Sequence, residues 1–286
     1  MPAFDPRVTP RRDDLAAKYL EGKVKAARFV EGSVMEVTAP QAPLRRESRP
    51  DAPLDSEALR GEGVTVYDTN AEGWAWVQLA ADNYVGWLPC AALGPPGAPA
   101  THKVAALRTF VFPGPSIRLP PIEALPFGAK INVERITDQM AVTSSGFYVP
   151  VTHLKPVGEI ETDFVAVAER FLGTPYLWGG KTTLGIDCSG LVQTALTAAG
   201  VPCPRDSDMQ ERAVGRALTE TERSSRPRRG DLIFWEGHVA IVRDGESLVH
   251  ANAFHMAVAI EPIIQAIARI RAAGAELTSI RRIALA

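Results

Sequence analysis

Cysteine is scarce in this sequence. Of its 286 residues only Cys90, Cys188 and Cys203 are cysteines. An odd and small number excludes a fold held together by a disulfide framework, and no CxxC pair is present for a structural zinc site. We therefore expect neither a metal nor an organic cofactor, and each thiol is either inert or a nucleophile.

A large charge of one sign and long apolar runs are absent as well. Lys and Arg number 31 against 33 Asp and Glu, a formal net charge of -2, which disfavours a nucleic-acid or membrane-surface partner. No apolar run reaches transmembrane length, and residues 1–7 contain neither an apolar signal core nor a cysteine for lipidation. These absences predict a cytoplasmic protein with no nucleic-acid or membrane partner, and they leave the oligomeric state open.

The chain is long enough for two or three small domains, and its composition divides it into four segments. Residues 1–37 predict a helical packing segment, with a short helix over 15–20. Residues 38–97 and 98–157 contain short β-branched and aromatic runs that end at turn residues, which predicts two small β barrels separated by the Gly- and Pro-rich residues 94–99. Residues 158–286 begin with helices and continue with strands, an α+β pattern.

The predicted elements follow from the same patterns. Strands are expected in the first barrel at 34–39, 42–45, 63–68, 74–79 and 84–88, and in the second at 103–107, 130–135, 140–143 and 146–150. The last segment predicts a helix over 161–172, an exposed polar stretch over 205–229 in a cleft wall, strands at 231–235, 238–242, 247–251, near 258 and at 277–283, and a helix over 262–273.

Cys188 stands where a polar turn changes into an apolar helix pattern. Asp187 occupies the N-cap position, and apolar residues recur at helical spacing until Gly200. The unpaired amides and the positive end of the helix dipole favour a thiolate over a thiol at such a position. The sequence therefore predicts an acidic, reactive Cys188.

Two histidines can supply the rest of a nucleophilic site. His238 begins one predicted strand and His250 ends the next, so that antiparallel pairing can place them side by side. This gives a Cys–His–polar arrangement in which His238 is the base and His250 orients it. Asn252 is an alternative orienting residue, and spacing alone does not exclude an unrelated role for these residues.

Several separated motifs occur in the order found in NlpC-type cell-wall cysteine peptidases, which the segment 160–255 closely resembles. They are residues 171–180 (FLGTPYLWGG), 185–192 (GIDCSGLV), 204–207 (PRDS), 229–235 (RGDLIFW), 237–242 (GHVAIV) and 248–251 (LVHA). The first barrel, with YVGWL at 84–88, resembles bacterial SH3 domains. Together they resemble the γ-D-glutamyl-L-diamino acid endopeptidases, or dipeptidyl-peptidases VI.

The resemblance implies a papain-like catalytic domain preceded by two SH3-like barrels, and Cys188, His238 and His250 as catalytic residues. It implies hydrolysis of the bond between D-Glu and the diamino acid of murein peptides whose N-terminal L-Ala is free, in peptide recycling. Tyr176 would donate to the oxyanion. The residues implied in substrate binding are Glu62, Tyr84, Trp178, Asp187, Ser189, Asp206 and Ser207, with Glu62 and Asp206 pairing with the free ammonium.

Two other functions remain open from the sequence. An acyltransferase or thioesterase on the same scaffold would need an open, apolar cleft. A non-catalytic protein that binds wall peptides through its SH3-like barrels would not need the Cys–His–His set.

Overall fold

The computed structural model describes residues 4–223 and 226–284. The chain forms two compact units, the first extending to Glu159 and the second starting at Ile160. The predicted catalytic segment begins two residues earlier, at 158.

The segment before the first barrel is extended where a helix was predicted. Strands β1 (Ala16–Ala17) and β2 (Phe29–Val30) pair in parallel, and Lys18–Leu20 form a single 3₁₀ turn between them. Six residues are too few for a helix that is stable by itself, and tertiary packing decides their conformation. Leu15 and both alanines of β1 are fully buried in the extended form. The prediction of a helix over 15–20 was therefore wrong.

The first barrel is one seven-stranded antiparallel sheet with the order β5-β4-β8-β7-β6-β3-β9. Its core includes Val37, Leu44, Val77 and Leu88, all with no exposed surface. The strands are β3 (Ser33–Val37), β4 (Gln41–Arg45), β5 (Leu54–Leu59), β6 (Gly63–Thr69), β7 (Trp74–Leu79), β8 (Val85–Pro89) and β9 (Leu93–Gly94), with a 3₁₀ turn at Cys90–Ala92. Because β3 starts at Ser33, the barrel includes the end of the predicted packing segment 1–37, and β5 was not predicted.

The second barrel consists of three small antiparallel sheets around Val104, Leu125, Ala141 and Val149. Its strands are β10 (His102–Val104), β11 (Arg108–Val111), β12 (Glu123–Pro126), β13 (Lys130–Ile131), β14 (Val133–Thr137), β15 (Met140–Thr143), β16 (Tyr148–Pro150) and β17 (Leu154–Pro156), with a 3₁₀ turn at Val151–His153.

Both barrels end in the same way. A strand that finishes at a proline leads into a 3₁₀ turn of three residues and then into a short strand, at β8–β9 in the first barrel and β16–β17 in the second. That last strand pairs with an early strand of its own barrel, β9 with β3 and β17 with β10. This shared ending supports the interpretation of the second barrel as a diverged copy of the first.

The second unit packs helices against a six-stranded sheet with the order β20-β25-β21-β22-β23-β24. Its helices are α1 (Phe164–Glu169), α2 (Cys188–Ala198), α3 (Ser207–Ala213), α4 (Glu220–Arg223) and α5 (Ile263–Ala272). Its strands are β18 (Lys181–Thr182), β19 (Gly185–Ile186), β20 (Arg216–Ala217), β21 (Asp231–Trp235), β22 (His238–Val242), β23 (Ser247–Asn252), β24 (Ala257–Pro262) and β25 (Leu277–Arg282). Among the described residues, no helix has both the length and the apolar character needed to cross a membrane.

Candidate active site

Helix α2 begins at Cys188, and Asp187 caps it. The Asp187 carboxylate accepts hydrogen bonds from the backbone N–H of Gly190 at 2.7 Å and of Gly179 at 2.8 Å, so it satisfies amides that a helix start leaves without partners. A side chain at Gly190 would collide with the carbonyl oxygen of Gly180. The turn before the helix and the helix itself therefore hold Cys188 in a fixed position.

Arg205 completes this support from the interior. Its guanidinium donates to both Asp187 oxygens, at 2.9 and 2.7 Å, and to the Ser189 hydroxyl at 2.8 Å. The Arg205 side chain is 1% exposed, although the sequence predicted an exposed stretch from 205 to 229. The prediction was wrong at this residue, where a long-range ion pair compensates the burial. It was also wrong at four other buried residues of the stretch, Met209, Gln210, Val214 and Leu218. The side chains of Asp187 and Ser189 both bond to Arg205, so their observed role is structural. Their contact with substrate stays a prediction.

The two histidines meet across neighbouring strands. In the antiparallel register of β22 and β23, Ile241 lies opposite Val249, so His250 lies opposite Ala240. Because Ala240 is two residues from His238, the two histidines are diagonal neighbours on the same face of the sheet. His238 Nε2 lies 2.9 Å from His250 Nδ1. Asn252 instead bonds His255 through its side-chain oxygen, so it does not orient His238.

The Cys188 sulfur lies beside the start of β22. The backbone N–H groups of Val239 and Ser189 favour the thiolate, but burial acts more strongly in the opposite direction. Burial, followed by the charge of Asp187, raises the pKa of the Cys188 thiol to about 12. The expectation of an acidic thiol was therefore wrong, because desolvation outweighs the helix end.

The histidines are also uncharged at neutral pH. Burial, followed by the charge of Arg269, lowers the pKa of His238 to about 4. Burial, followed by the charge of His238, lowers the pKa of His250 to about 3. The resting site is thus a neutral thiol next to two neutral imidazoles, and the thiolate forms only when His238 takes the proton.

Tyr176 and Trp178 lie on the loop before α2. The Tyr176 backbone N–H donates to Met256 at 2.9 Å, which ties this loop to the start of β24. Burial, followed by the charges of Cys188 and Asp187, raises the pKa of Tyr176 above its usual range, so its hydroxyl stays protonated near the sulfur and can donate. Trp178 is 65% exposed and is accessible to a ligand.

Asp206 and Ser207 start α3, the helix beyond Arg205. The Gln210 side chain donates to the carbonyl oxygens of Ser189 and Pro204, each at 2.9 Å, so α3 is fastened to the first turn of α2. Asp206 is half-buried there and its side chain does not cap the helix. Their contact with substrate stays a prediction.

Glu62 and Tyr84 belong to the first unit. The Glu62 carboxylate accepts the backbone N–H of Leu59 at 3.1 Å, and Tyr84 is 4% exposed within the core of the first barrel. Their predicted contact with substrate stays a prediction.

Two residues of the site have no counterpart in the sequence predictions. Glu261 at the end of β24 lies 3.1 Å from His250 Nε2, and Arg269 of α5 donates to both oxygens of Glu261. The alternation of β24 could have placed Glu261 beside His250, but its pairing with β23 was not foreseen.

One group of side chains has the composition of a metal site. Donor atoms of His250, His255 and Glu261 lie within 4.8 Å of one another. Both nitrogens of His250 already face His238 and Glu261, and the Arg269 guanidinium lies against Glu261. A cation there would be repelled by Arg269 and would have to displace it, so the contacts present explain the group without a metal.

Comparison with known proteins identifies both domains. Residues 173–274 match the model of the NlpC/P60 family, and residues 44–93 match that of the bacterial dipeptidyl-peptidase SH3 domain. A crystal structure of an NlpC/P60 family protein from Bacillus cereus ATCC 10987 superposes with a TM-score of 0.74 at 21% identity, over 89% of this chain and 100% of that one. The predicted fold, a papain-like domain after an SH3-like barrel, is confirmed.

Two curated relatives carry names for an activity. Dipeptidyl-peptidase 6 of Lysinibacillus sphaericus is 41% identical over 31% of this chain and 31% of its own. Gamma-D-glutamyl-L-lysine dipeptidyl-peptidase of Bacillus subtilis (strain 168) is 34% identical over 36% of this chain and 35% of its own. The matches thus span about a third of these relatives. The chain carries an NlpC/P60 domain, of the cysteine peptidase superfamily, joined to an N-terminal bacterial SH3 domain.

Proposed function

We propose that this protein is a cysteine endopeptidase that hydrolyses the γ-D-Glu–diamino acid bond of murein peptides with a free N-terminal L-Ala. The observation that carries the proposal is the hydrogen-bonded His238–His250 pair on the strands beside Cys188. The name of one relative, gamma-D-glutamyl-L-lysine dipeptidyl-peptidase, supports the choice of this bond. A peptide whose L-Ala is free has already been severed from its sugar, which favours a role in recycling wall fragments.

The proposed reaction begins with a neutral site. His238 takes the thiol proton as the Cys188 sulfur attacks the γ-carbonyl carbon, and the Tyr176 hydroxyl donates to the oxyanion. His238 then protonates the leaving amine, which departs as the free diamino acid. Water, deprotonated by His238, hydrolyses the thioester and releases the dipeptide. His250 holds the His238 ring throughout.

A charged N-terminus gives the proposed specificity its physical basis. Asp206 places a carboxylate at the start of α3, the helix that Gln210 fastens to the first turn of α2. A free ammonium group pairs with such a carboxylate. N-acetylation removes that charge and with it the ion pair.

Product analysis tests the activity and its specificity. L-Ala-γ-D-Glu-L-Lys and its diaminopimelate analogue should each yield the free diamino acid and L-Ala-D-Glu. The N-acetylated forms should react at least about 30-fold more slowly in kcat/KM, corresponding to roughly 2 kcal/mol for the lost ion pair with the ammonium. Absence of any diamino acid would refute the activity, and equal cleavage of both forms would refute the requirement for a free amine.

The pH dependence should reflect the low pKa of His238. The base is lost only when His238 is protonated, so the acid limb of kcat/KM is expected at a pH of about 4, where an unperturbed histidine would put it near about 6.5. The unfolded chain binds more protons than the folded one between these values, so stability should also fall as the pH is lowered through this window. An acid limb near neutrality would contradict the buried, neutral His238.

A further inference from the structure

A line of hydrogen bonds continues beyond the catalytic histidines. His250 Nδ1 faces His238, its Nε2 lies 3.1 Å from Glu261 Oε2, and Arg269 donates to Glu261 Oε2 at 2.7 Å and to Oε1 at 3.0 Å. In the register of β23 and β24, His250 pairs with Ala259, so Glu261 lies two residues along on the same face. The step from His250 to Glu261 thus repeats the step from His238 to His250.

We propose that Glu261, held by Arg269, is a positioning residue that sets the tautomers of both His250 and His238. The proposal deepens the proposed function and rests on it for its catalytic meaning. Glu261 is not among the catalytic residues predicted from the sequence, and the names of the relatives imply no role for it.

The tautomers of both histidines follow from which atoms can donate. An ionised carboxylate only accepts hydrogen bonds, so the proton of the His250–Glu261 bond is on His250 Nε2. A neutral imidazole carries one N–H, so His250 Nδ1 is an acceptor. The bond to His238 then requires a proton on His238 Nε2. His238 Nδ1 is left with a free lone pair, the form that can take the Cys188 proton.

The surroundings keep Glu261 ionised. It is 7% exposed, and its two hydrogen bonds from the Arg269 guanidinium, the largest influence on it, lower the pKa of its carboxyl group. Arg269 itself is held against the Phe254 ring, with its guanidinium carbon 4.5 Å from the ring centroid. The acceptor at the end of the line is therefore fixed in both charge and position.

Removing the carboxylate should move the proton of each histidine from Nε2 to Nδ1. In Glu261→Gln the amide oxygen can keep the bond from Arg269 Nε, while the N–H₂ group takes the place of Oε2 and displaces Arg269 Nη2. The N–H₂ group then donates to His250 Nε2, which moves the His250 proton to Nδ1. His250 then donates to His238 Nε2, and the His238 proton moves to Nδ1, where it blocks the transfer from Cys188. The wrong tautomer of a catalytic histidine is costly in other triads, because the base has no lone pair facing the nucleophile.

The tautomers can be read directly from the nitrogen chemical shifts of ¹⁵N-histidine-labelled full-length protein. In the wild type, both His238 and His250 should be protonated at Nε2, and in Glu261→Gln the fraction protonated at Nδ1 should rise at both. A wild-type His250 protonated at Nδ1 would overturn the proposal without any variant, and so would unchanged tautomers in a folded Glu261→Gln protein.

Two rates give the functional consequence. Alkylation of Cys188 by iodoacetamide and kcat for L-Ala-γ-D-Glu-L-Lys should each fall by at least about 10-fold in Glu261→Gln, with KM changed less than about 2-fold, since the loss falls on proton transfer. Glu261→Asp, which keeps the charge, should recover part of both rates. Loss of kcat with unchanged alkylation and tautomers would overturn the proposal.

Glu169→Gln is the matched control. Glu169 lies in the same unit and is also held by arginine, here by Arg229 and Arg243, but it contacts neither histidine. Glu169→Gln should leave both rates and both tautomers unchanged. If it changed them as much as Glu261→Gln does, the Glu261 result would reflect only the general loss of an ion pair. Tautomers and alkylation need no peptide, so they decide this proposal even if the peptide is not cleaved.

Discussion

Replacement of Cys188 by alanine is expected to lower kcat for L-Ala-γ-D-Glu-L-Lys by at least about 10⁴-fold, the scale on which removal of a catalytic nucleophile acts. The sulfur is the atom that forms the thioester, and no neighbouring group in the described site can replace it: the two histidines and Tyr176 are positioned to transfer or donate protons. Substrate affinity should change little, because Cys188 presents only 6% of its surface. Product release and isothermal binding to the same variant measure the two quantities separately.

Cys203→Ala and Cys90→Ala are the matched controls for this loss. Cys203 is also buried, at 8% exposed, and lies in the same unit, whereas Cys90 belongs to the 3₁₀ turn of the first barrel. Each variant should keep kcat within about 2-fold of the wild type. Cleavage that survives in Cys188→Ala, or disappears equally in Cys203→Ala, would contradict the assignment of the nucleophile.

Arg205→Met is expected to reduce the free energy of unfolding of the second unit by about 3–5 kcal/mol, the usual cost of leaving one charge of a buried ion pair alone. Asp187 is 6% exposed and would lose the two charged hydrogen bonds of 2.9 and 2.7 Å. Its remaining donors are the amides of Gly179 and Gly190 and the Ser189 hydroxyl, so the variant should also loosen the turn that holds Cys188. Urea unfolding gives the stability, and kcat reports the effect on the site.

Arg212→Ala provides the comparison for an exposed pair. Arg212 donates to Asp208 at 2.7 Å on α3, but its side chain is 65% exposed, so its loss should cost less than about 1 kcal/mol. The double variant Asp187→Asn, Arg205→Met should regain part of the lost stability because the lone charge is gone. Equal free energies of unfolding for Arg205→Met and Arg212→Ala would show that the buried ion pair is not needed for stability.

The elements that were predictable from sequence are those with a strong local pattern. Helix α2 follows its cap and its apolar spacing, and β22 follows an uninterrupted apolar run after His238. β5 was missed because Asp55, Ser56 and Glu57 lack strand propensity, and their place in the sheet comes from pairing with β4. The extended Ala16–Ala17 shows the same limit, since distant residues decide its conformation.

The site was predictable to the extent that it depends on order along the chain. Strand and helix boundaries showed that Cys188, His238 and His250 could lie close together, and the resemblance to NlpC-type peptidases selected them as a set. Arg205 and Glu261 were missed because each acts through a partner far away in sequence or on another element. The direction of the Cys188 pKa was missed because burial is a tertiary property that a helix cap does not reveal.

The most direct test of the central claim is labelling with a diazomethyl ketone of L-Ala-γ-D-Glu, whose carbonyl occupies the place of the scissile one. One adduct per chain is expected, on Cys188, with markedly slower labelling by the N-acetylated reagent and none after Cys188→Ala, as mapped by peptide mass spectrometry. Labelling at Cys90 or Cys203, or no labelling of a folded protein with reduced thiols, would contradict that claim.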